Sequence, residues 1–309
     1  MQYFEGRGFL GVDVFFALSG FLITQILLSY REKGIKLRKF YLRRVARLYP
    51  ILLVSVIGLT FFMRNDPAFA DRGPSIASIL YIKNFFPWGG VFGPMWSLSA
   101  EEQFYLIFPV FLFLGLKLLK KYRLTLFIIL WLATIWTVAV ISSAPEFNFN
   151  NHGIFNLVVF RPSIILVGCQ AAIHKEYLEQ LVNRHKKFVY LLLFLLISLT
   201  LAIQFPPLAG ISTAILILIL SEQVRKESII ARGIYSIFAF KPLAWIGLLS
   251  YSIYIWHLPM IFFSSERFTV LSVSPMWLFF VKLLAVSCVS FYLFERPVLK
   301  LITRTRSSK

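Results

Sequence analysis

The stretch FVYLLLFLLISLTLAIQFPPLAGISTAILILILS, residues 188–221, contains no charged side chain. One apolar helix needs roughly 20 residues to cross about 30 Å of hydrocarbon, so this run is long enough for two crossings. The sequence QFPP at residues 204–207 predicts a tight turn between them, because proline does not continue a helix and favours turns. The pattern therefore predicts two consecutive helices inside a membrane.

The composition of the whole chain points the same way. Of its 309 residues, 58% are hydrophobic and 15% are charged, whereas about a quarter of the residues of a soluble domain are charged. Residues 124–144 and 242–265 contain no Asp, Glu, Lys or Arg, and residues 8–29 contain only Asp13. We therefore predict an all-α fold, a polytopic bundle of transmembrane helices in the cell membrane, and exclude a soluble domain.

Nine apolar stretches are predicted to span the bilayer. They are residues 9–29, 48–63, 103–119, 124–142, 155–173, 188–204, 206–221, 243–264 and 276–295. Residues 76–88 are apolar but short, which predicts a re-entrant or interfacial piece. No segment repeats, so we predict one membrane domain over residues 1–297, followed by a basic cytoplasmic tail over residues 298–309.

The basic residues predict the orientation of the bundle. Twenty-five of the 32 Lys and Arg residues fall in alternate connections, at 30–47, 117–123, 174–187, 222–241 and 296–309. Because Lys and Arg collect on the cytoplasmic side and against anionic lipid heads, that face and the C-terminus are predicted to be cytoplasmic. The net charge of +18 has the same explanation, so no nucleic-acid partner is expected. An odd number of spans places the start of this chain outside the cell, and we expect a further helix to precede it.

Asp13 is an ionisable residue inside a predicted span, where such residues are costly and usually functional. It lies near the outer end of that span, in GVDVFFALSGFLI, residues 11–23. The alternative is a structural role, because the helix dipole favours an acidic residue near the start of a helix. Ser19 and Gly20 in the same stretch are small residues that allow helices to approach closely.

A basic stretch, FYLRRVARLYP at residues 40–50, leads into the second predicted span. Arg44 and Arg47 are three residues apart and share one face of a helix. At the cytoplasmic interface, their guanidinium groups suit phosphate. Ordinary anchoring of the span by basic residues is the alternative.

Two adjacent carboxylates enter a predicted span in WSLSAEEQFY, residues 96–105. Ser99, three residues before Glu102, predicts a capping box, which is a purely structural role. Glu101 and Glu102 together exceed what a cap needs. One of them is therefore predicted to pair with an Arg or a His, or to accept a proton.

His257 is the only histidine within a strongly apolar run, in SYSIYIWHLP at residues 250–259. The hydroxyl and indole groups around it can satisfy it as a packed residue, and a catalytic role is the alternative. Cys169 and Cys288 also lie in apolar runs and lack metal-ligand spacing. We predict that they are packed thiols, and no metal site is expected.

Taken in order, these four stretches and FERP at residues 294–297 resemble acyltransferase family 3. This family of membrane O-acyltransferases includes surface-sugar and peptidoglycan-type acetylases, and the resemblance covers nearly the whole chain. It implies transfer of an acyl group, often acetyl, from a cytoplasmic acyl-CoA. The acceptor would be a hydroxyl of a cell-surface carbohydrate or of a lipid-linked molecule.

The resemblance also implies which residues form the site. The basic stretch would engage the acyl-CoA donor, the aspartate would support a catalytic histidine, and the acidic and WH motifs would lie at the site. The residues concerned are Arg43, Arg44 and Arg47 for the donor, and Asp13, Glu101, Glu102 and His257 for catalysis.

One departure from the family concerns the general base. Members typically have ten spans, and the histidine regarded as their base lies on the first. This chain begins just before the span that matches the second, so we expect the whole protein to start upstream. Without that base, the chain as given is expected to lose roughly 10²–10⁴-fold in acyl transfer. Two alternatives stay open: a transporter or flippase of a lipid-linked glycan or acyl group, although no inverted repeat is visible, and a non-catalytic membrane scaffold.

Overall fold

A computed structural model of the chain describes residues 8–65, 73–86, 90–119, 121–142, 159–263 and 276–304. These residues form helices joined by short turns, and no strand occurs among them. The predicted all-α fold is confirmed.

The helices are numbered in chain order. They are α1 (Gly8–Glu32), α2 (Leu37–Phe62), α3 (Gly73–Ile79), α4 (Met95–Leu118), α5 (Lys121–Ser142), α6 (Ile164–Ile173), α7 (Lys175–Arg184), α8 (Lys186–Ile203), α9 (Pro206–Ile219), α10 (Glu222–Glu227), α11 (Ile229–Phe238), α12 (Lys241–Phe263), α13 (Met276–Ser290) and α14 (Arg296–Arg304). A 3-10 turn, Lys83–Phe85, lies between α3 and α4, and a π-helical segment, Phe291–Glu295, joins α13 to α14.

Six stretches of the described chain are long and apolar enough to cross a membrane. They are α1, α2, α4, α8, α12 and the continuous stretch Trp277–Lys300. The predicted count of nine is not confirmed. In the predicted span 155–173, the described α-helix α6 has only 10 residues, and residues 155–158 lie outside the described residues. In the predicted span 206–221, α9 has 14 residues, which reach about 21 Å. Residues 124–142 belong to α5, whose apolar part is Tyr122–Thr137.

Two helices begin well before their predicted starts, because their first turns carry polar and charged residues that a search for apolar runs leaves out. α2 begins at Leu37 and α4 at Met95, so the basic stretch and the acidic stretch both lie inside helices. The predicted capping box at Ser99 is wrong. The Ser99 hydroxyl donates to the Met95 carbonyl oxygen at 2.9 Å and accepts the Lys83 backbone N–H at 3.1 Å.

The chain divides into two compact units, of which the first comprises α1, most of α4, and α5–α11. In this unit α1 packs along α6 and α9. Gly20 and Gly168 allow the close approach of α1 and α6. A Cβ atom at Gly20 would overlap the Ile165 carbonyl oxygen, and one at Gly168 would overlap the Ala17 carbonyl oxygen. The prediction that Gly20 permits close helix packing is confirmed.

The turn predicted at residues 204–207 is also confirmed. Gln204 adopts a left-handed conformation with φ +53° after the end of α8, and α9 begins at Pro206. Proline suits the first turn of a helix, because its missing N–H would have no intrahelical acceptor there. The two helices then pack against each other. Cys169 is buried on α6 and Cys288 is half-buried on α13, and both are free thiols.

The second unit comprises α2, α3, the first turns of α4, and α12–α14. Its core is apolar and joins α2 to α12, with Ile51 and Leu52 packed together with Tyr251 and Ile255. The short piece predicted at residues 76–88 contains the end of α3 and the 3-10 turn, and residues 87–88 lie outside the described residues. α14 runs across the predicted boundary at residue 297, so the division into domain and tail there stays a prediction.

Candidate active site

An arginine and two glutamates form a partly buried ionic cluster in the second unit, the Arg44 cluster. Arg44 Nε on α2 donates to Glu102 Oε1 on α4 at 2.7 Å, and Arg44 Nη2 lies 3.5 Å from Glu101 Oε1. The side chains of Arg44, Glu101 and Glu102 are 18%, 5% and 19% exposed. Hydrogen bonds between ionised groups are short and strong. The prediction that one of the two carboxylates pairs with an arginine is confirmed.

Two tyrosines of the SYSIYIWH stretch tie α12 to its neighbours in the same unit. The Tyr251 hydroxyl donates to the Leu48 carbonyl oxygen of α2 at 2.8 Å, and the Tyr254 hydroxyl donates to the Pro94 carbonyl oxygen at 2.8 Å. Tyr254 also shares a hydrogen bond with the Ser97 hydroxyl at the start of α4. Residues three apart on a helix lie on one face, so this face of α12 contacts the two segments that carry the Arg44 cluster.

A third tyrosine, Tyr81, lies beside the cluster in an unusual backbone conformation. Its φ is +54°, the left-handed region, which costs a non-glycine residue about 1–2 kcal/mol. Its N–H bonds to Ser78 O, and the N–H of Ile82 bonds to Ala77 O. This is the Schellman pattern that ends a helix, usually with glycine at this position. Burial, and then the charge of Glu102, raise the pKa of the Tyr81 phenol well above its ordinary value, so it stays protonated at physiological pH.

His257 is half-buried on α12, one turn beyond Tyr254. Its Nδ1 lies 2.6 Å from the Tyr254 carbonyl oxygen. A carbonyl oxygen can only accept, so Nδ1 carries the proton, and in the neutral ring Nε2 keeps its lone pair. The centres of the Tyr254 and His257 rings lie 5.4 Å apart. The geometry fits both a packed residue and a residue that accepts a proton at Nε2, so its catalytic role stays a prediction.

Arg47 and Glu295 form a second ion pair in this unit. Arg47 Nε on α2 lies 3.9 Å from Glu295 Oε1 in the π-helical segment. The Arg47 side chain is 59% exposed, whereas that of Glu295 is only 2% exposed. The basic stretch is therefore joined to the FERP stretch as well as to the acidic stretch. Arg43, on the same helix, is exposed.

The first unit contains a separate buried ion pair between Asp13 and Arg161. Arg161 Nη1 donates to both carboxylate oxygens of Asp13 at 2.8 Å. The Asp13 side chain is fully buried and that of Arg161 is 12% exposed. The guanidinium also lies over the Phe9 ring, 4.5 Å from its centre. Charges in an apolar environment must be paired, so Arg161 stabilises the charge of Asp13 on α1.

Removal of the charge of Asp13 tests this pairing. Asp13→Asn keeps an acceptor oxygen but leaves the guanidinium without its counter-charge, and we expect it to destabilise the folded protein by about 2–3 kcal/mol. The double variant Asp13→Asn with Arg161→Gln is expected to recover part of that loss, because no uncompensated charge remains. The measurement is the unfolding midpoint in detergent. A double variant as unstable as the sum of the two single variants would contradict the pairing.

The structure brings together some of the predicted site residues and not others. Glu101 and Glu102 meet Arg44, and Arg47 lies nearby on the same helix. Asp13 lies in the other unit with Arg161. Sequence reasoning assigned no role to three of the residues that complete these contacts. They are Tyr81, Arg161 and Glu295.

Asp13, Arg44, Glu101 and Glu102 are paired ionisable residues in helices that are long and apolar enough to cross a membrane. Such residues are costly there and are usually functional. The chain belongs to acyltransferase family 3, since the family model described as "Acyltransferase domain" matches residues 2–296.

The curated relatives are O-acetyltransferases of bacteria. The chain is 34% identical to the peptidoglycan O-acetyltransferase OatA of Listeria monocytogenes over 82% of its length and 45% of that protein. It is 27% identical to the putative peptidoglycan O-acetyltransferase YrhL of Bacillus subtilis strain 168, over 94% of its length and 50% of that protein. It is also 29% identical to a putative O-acetyltransferase of Staphylococcus aureus strain COL, over 91% and 50% of the two lengths. The chain thus spans about half the length of the curated relatives it matches. No solved structure matches it significantly.

Proposed function

We propose that the chain is the membrane part of an O-acyltransferase of the cell envelope. It moves an acyl group, acetyl in the first instance, from a cytoplasmic acyl-CoA to a hydroxyl of a carbohydrate. Two of the relatives carry peptidoglycan in their names, so a peptidoglycan sugar is the first acceptor to test, and a lipid-linked sugar is the second. The protein resides in the cell membrane with its C-terminus inside and the start of this chain outside.

The reaction is an acyl exchange between sulfur and oxygen. The acceptor hydroxyl oxygen attacks the thioester carbonyl carbon, a C–O bond forms and the C–S bond breaks. The hydroxyl proton passes to a base, and the departing CoA sulfur takes up a proton. The products are an ester and free CoA. The protein must therefore bind the donor's phosphates, take a proton from the acceptor and stabilise the charge on the carbonyl oxygen.

One observation supports the proposal above all others: two motifs that lie far apart in the sequence meet in the partly buried Arg44 cluster. Arg44 from the basic stretch and Glu102 from the acidic stretch are 58 residues apart and bond at 2.7 Å. Both lie in helices that are apolar enough to cross a membrane. Ionisable groups in such helices are expensive and mark functional sites.

The residues divide into a donor side and a chemical side. On the donor side, Arg43, Arg44 and Arg47 occupy the basic first turns of α2, where guanidinium groups can bind the phosphates of acyl-CoA. On the chemical side, Glu101 or Glu102 accepts a proton, with His257 Nε2 as the other candidate base. Arg161 stabilises and orients the carboxylate of Asp13, which lies on α1.

The test is transfer of labelled acetyl groups by the whole protein in vesicles. Radiolabelled acetyl-CoA is supplied on the side of the basic loops and peptidoglycan fragments on the other. We expect alkali-labile label on the sugar, with loss of that label in Glu102→Gln. Arg38→Gln, which removes an exposed charge from the same α2 helix, serves as the matched control and should retain transfer. Folded protein that neither consumes acetyl-CoA nor labels the sugar would refute the proposal. Movement of a lipid-linked glycan without an acyl group would favour a flippase.

A further inference from the structure

The two arginines predicted to bind phosphate differ in how they are held. Arg44 uses both Nε and Nη2 on carboxylates, and its side chain is 18% exposed. Arg47 is 59% exposed, and Glu295 is its only ion-pair partner among the described residues. The atom of Arg47 that lies nearest to Glu295 is Nε. The two Nη nitrogens lie at the far end of the guanidinium group. The two Nη nitrogens of Arg47 therefore form an open fork, the geometry that binds phosphate with two parallel hydrogen bonds.

The Arg47–Glu295 pair is poorly explained by stability alone. An exposed arginine gains little from an ion pair, and Glu295 loses the solvation of a carboxylate when it is buried. Its Oε2 makes no hydrogen bond among the described residues, although the hydroxyl of the fully buried Ser252 lies beside the carboxylate. A buried carboxylate that lacks some of its hydrogen bonds destabilises the folded protein. Such costs inside membrane helices are typical of function.

The backbone around Glu295 supports the same conclusion. Residues Phe291–Glu295 form a π-helical turn between α13 and α14. Such turns are rare, interrupt the regular helix and are frequent at functional sites. This turn also packs against α2, the helix that carries Arg47.

We propose that Glu295 is a positioning residue, which holds the Nε side of Arg47 so that its Nη edge faces the phosphates of the acyl donor. Arg47 is then the phosphate-binding arginine, and Arg44 is the internal counter-charge of Glu101 and Glu102. This assignment rests on the proposed use of acyl-CoA. The buried hydroxyl of Ser252 lies beside the Glu295 carboxylate and helps to fix its position.

The test compares single and double variants of the whole protein in detergent. Glu295→Gln keeps the size of the side chain and removes its charge. We expect it to weaken acetyl-CoA binding about 10-fold, the size of a typical coupling between neighbouring residues. KM for acetyl-CoA should rise with little change in kcat. Arg47→Gln is expected to weaken binding at least as much, and Glu295→Gln added to Arg47→Gln should change nothing further, because Glu295 acts through Arg47.

The controls separate this inference from the proposed function. Arg38→Gln, which removes the same charge from α2, should bind acetyl-CoA as the unmodified protein does. If Glu295→Gln does not fold, Ser252→Ala removes only a hydroxyl and is expected to raise KM by a smaller factor, again with no effect in the Arg47→Gln background. Normal binding by Glu295→Gln, or additive losses in the double variant, would overturn the positioning role alone. No acetyl-CoA binding by the unmodified protein would instead overturn the proposed donor.

Discussion

Replacement of Arg44 by alanine is expected to destabilise the protein by about 3–5 kcal/mol and to abolish acyl transfer. Arg44 is the counter-charge of a buried carboxylate, Glu101, and a half-buried one, Glu102, with contacts of 3.5 Å and 2.7 Å. Its removal takes away the positive charge that faces both carboxylates. The loss is larger than that of an exposed ion pair, which contributes about 0–1 kcal/mol.

The measurement is unfolding in detergent, followed by tryptophan fluorescence, together with acetyl transfer in vesicles. Arg38→Ala is the matched control, since Arg38 is exposed on the same helix, and it should shift stability by no more than about 0.5 kcal/mol. Adding Glu102→Gln to Arg44→Ala should restore part of the stability but no activity. If Arg44→Ala unfolds at the midpoint of the unmodified protein, the carboxylates do not depend on this arginine and the site must be reassigned.

Alanine at Gly20 or Gly168 is expected to have the second large effect. Each added Cβ would overlap a backbone carbonyl oxygen of the facing helix, that of Ile165 or Ala17. Backbone atoms cannot move aside as the end of a side chain can, so α1 and α6 must separate. We expect a loss of at least about 3 kcal/mol for either substitution, and a sharp fall in the yield of folded protein.

Gly11→Ala is the control for these substitutions. Gly11 lies on α1 with nothing within 4 Å of the position a Cβ atom would occupy. Alanine favours the helix over glycine by roughly 1 kcal/mol, so Gly11→Ala should be neutral or stabilising. The close packing of α1 and α6 is tested by the size-exclusion profiles and the unfolding midpoints of the three variants. Equal stability of all three would show that α1 and α6 do not pack as closely as described.

The sequence predicted the helices that consist of long apolar runs, and it placed their starts wrongly where charge enters the helix. α1, α8 and α12 are predictable because an apolar run of about 20 residues with at most one charge has few other structures in a membrane. α2 begins 11 residues before its predicted start because Lys and Arg fill its first turns. Hydropathy predicts the short α9 as a span, because hydropathy does not reveal whether an apolar helix crosses a bilayer or packs against a neighbouring helix such as α1.

The sequence predicts which ionisable residues belong to the site, but it does not predict which residues they pair with. The cost of ionisable groups in a membrane selected Asp13, Glu101 and Glu102 without any structure. Their partners are Arg161 and Arg44, which lie 148 and 58 residues away in the chain, and no local pattern encodes such distances. Tyr81 gave no signal, because its left-handed φ depends on the Schellman pattern at the end of α3.

The π-helical turn at Phe291–Glu295 has a consequence for insertions and deletions in this part of the gene. A π turn is equivalent to an α-helix with one residue added. Loss of a single codon within it would restore regular hydrogen bonding and rotate everything after it by about 100° relative to α13. Glu295 would then leave its buried position beside Arg47. The helix would be more regular, yet its acidic residue would face a different environment, so a length change of one residue here should be tolerated less well than many substitutions.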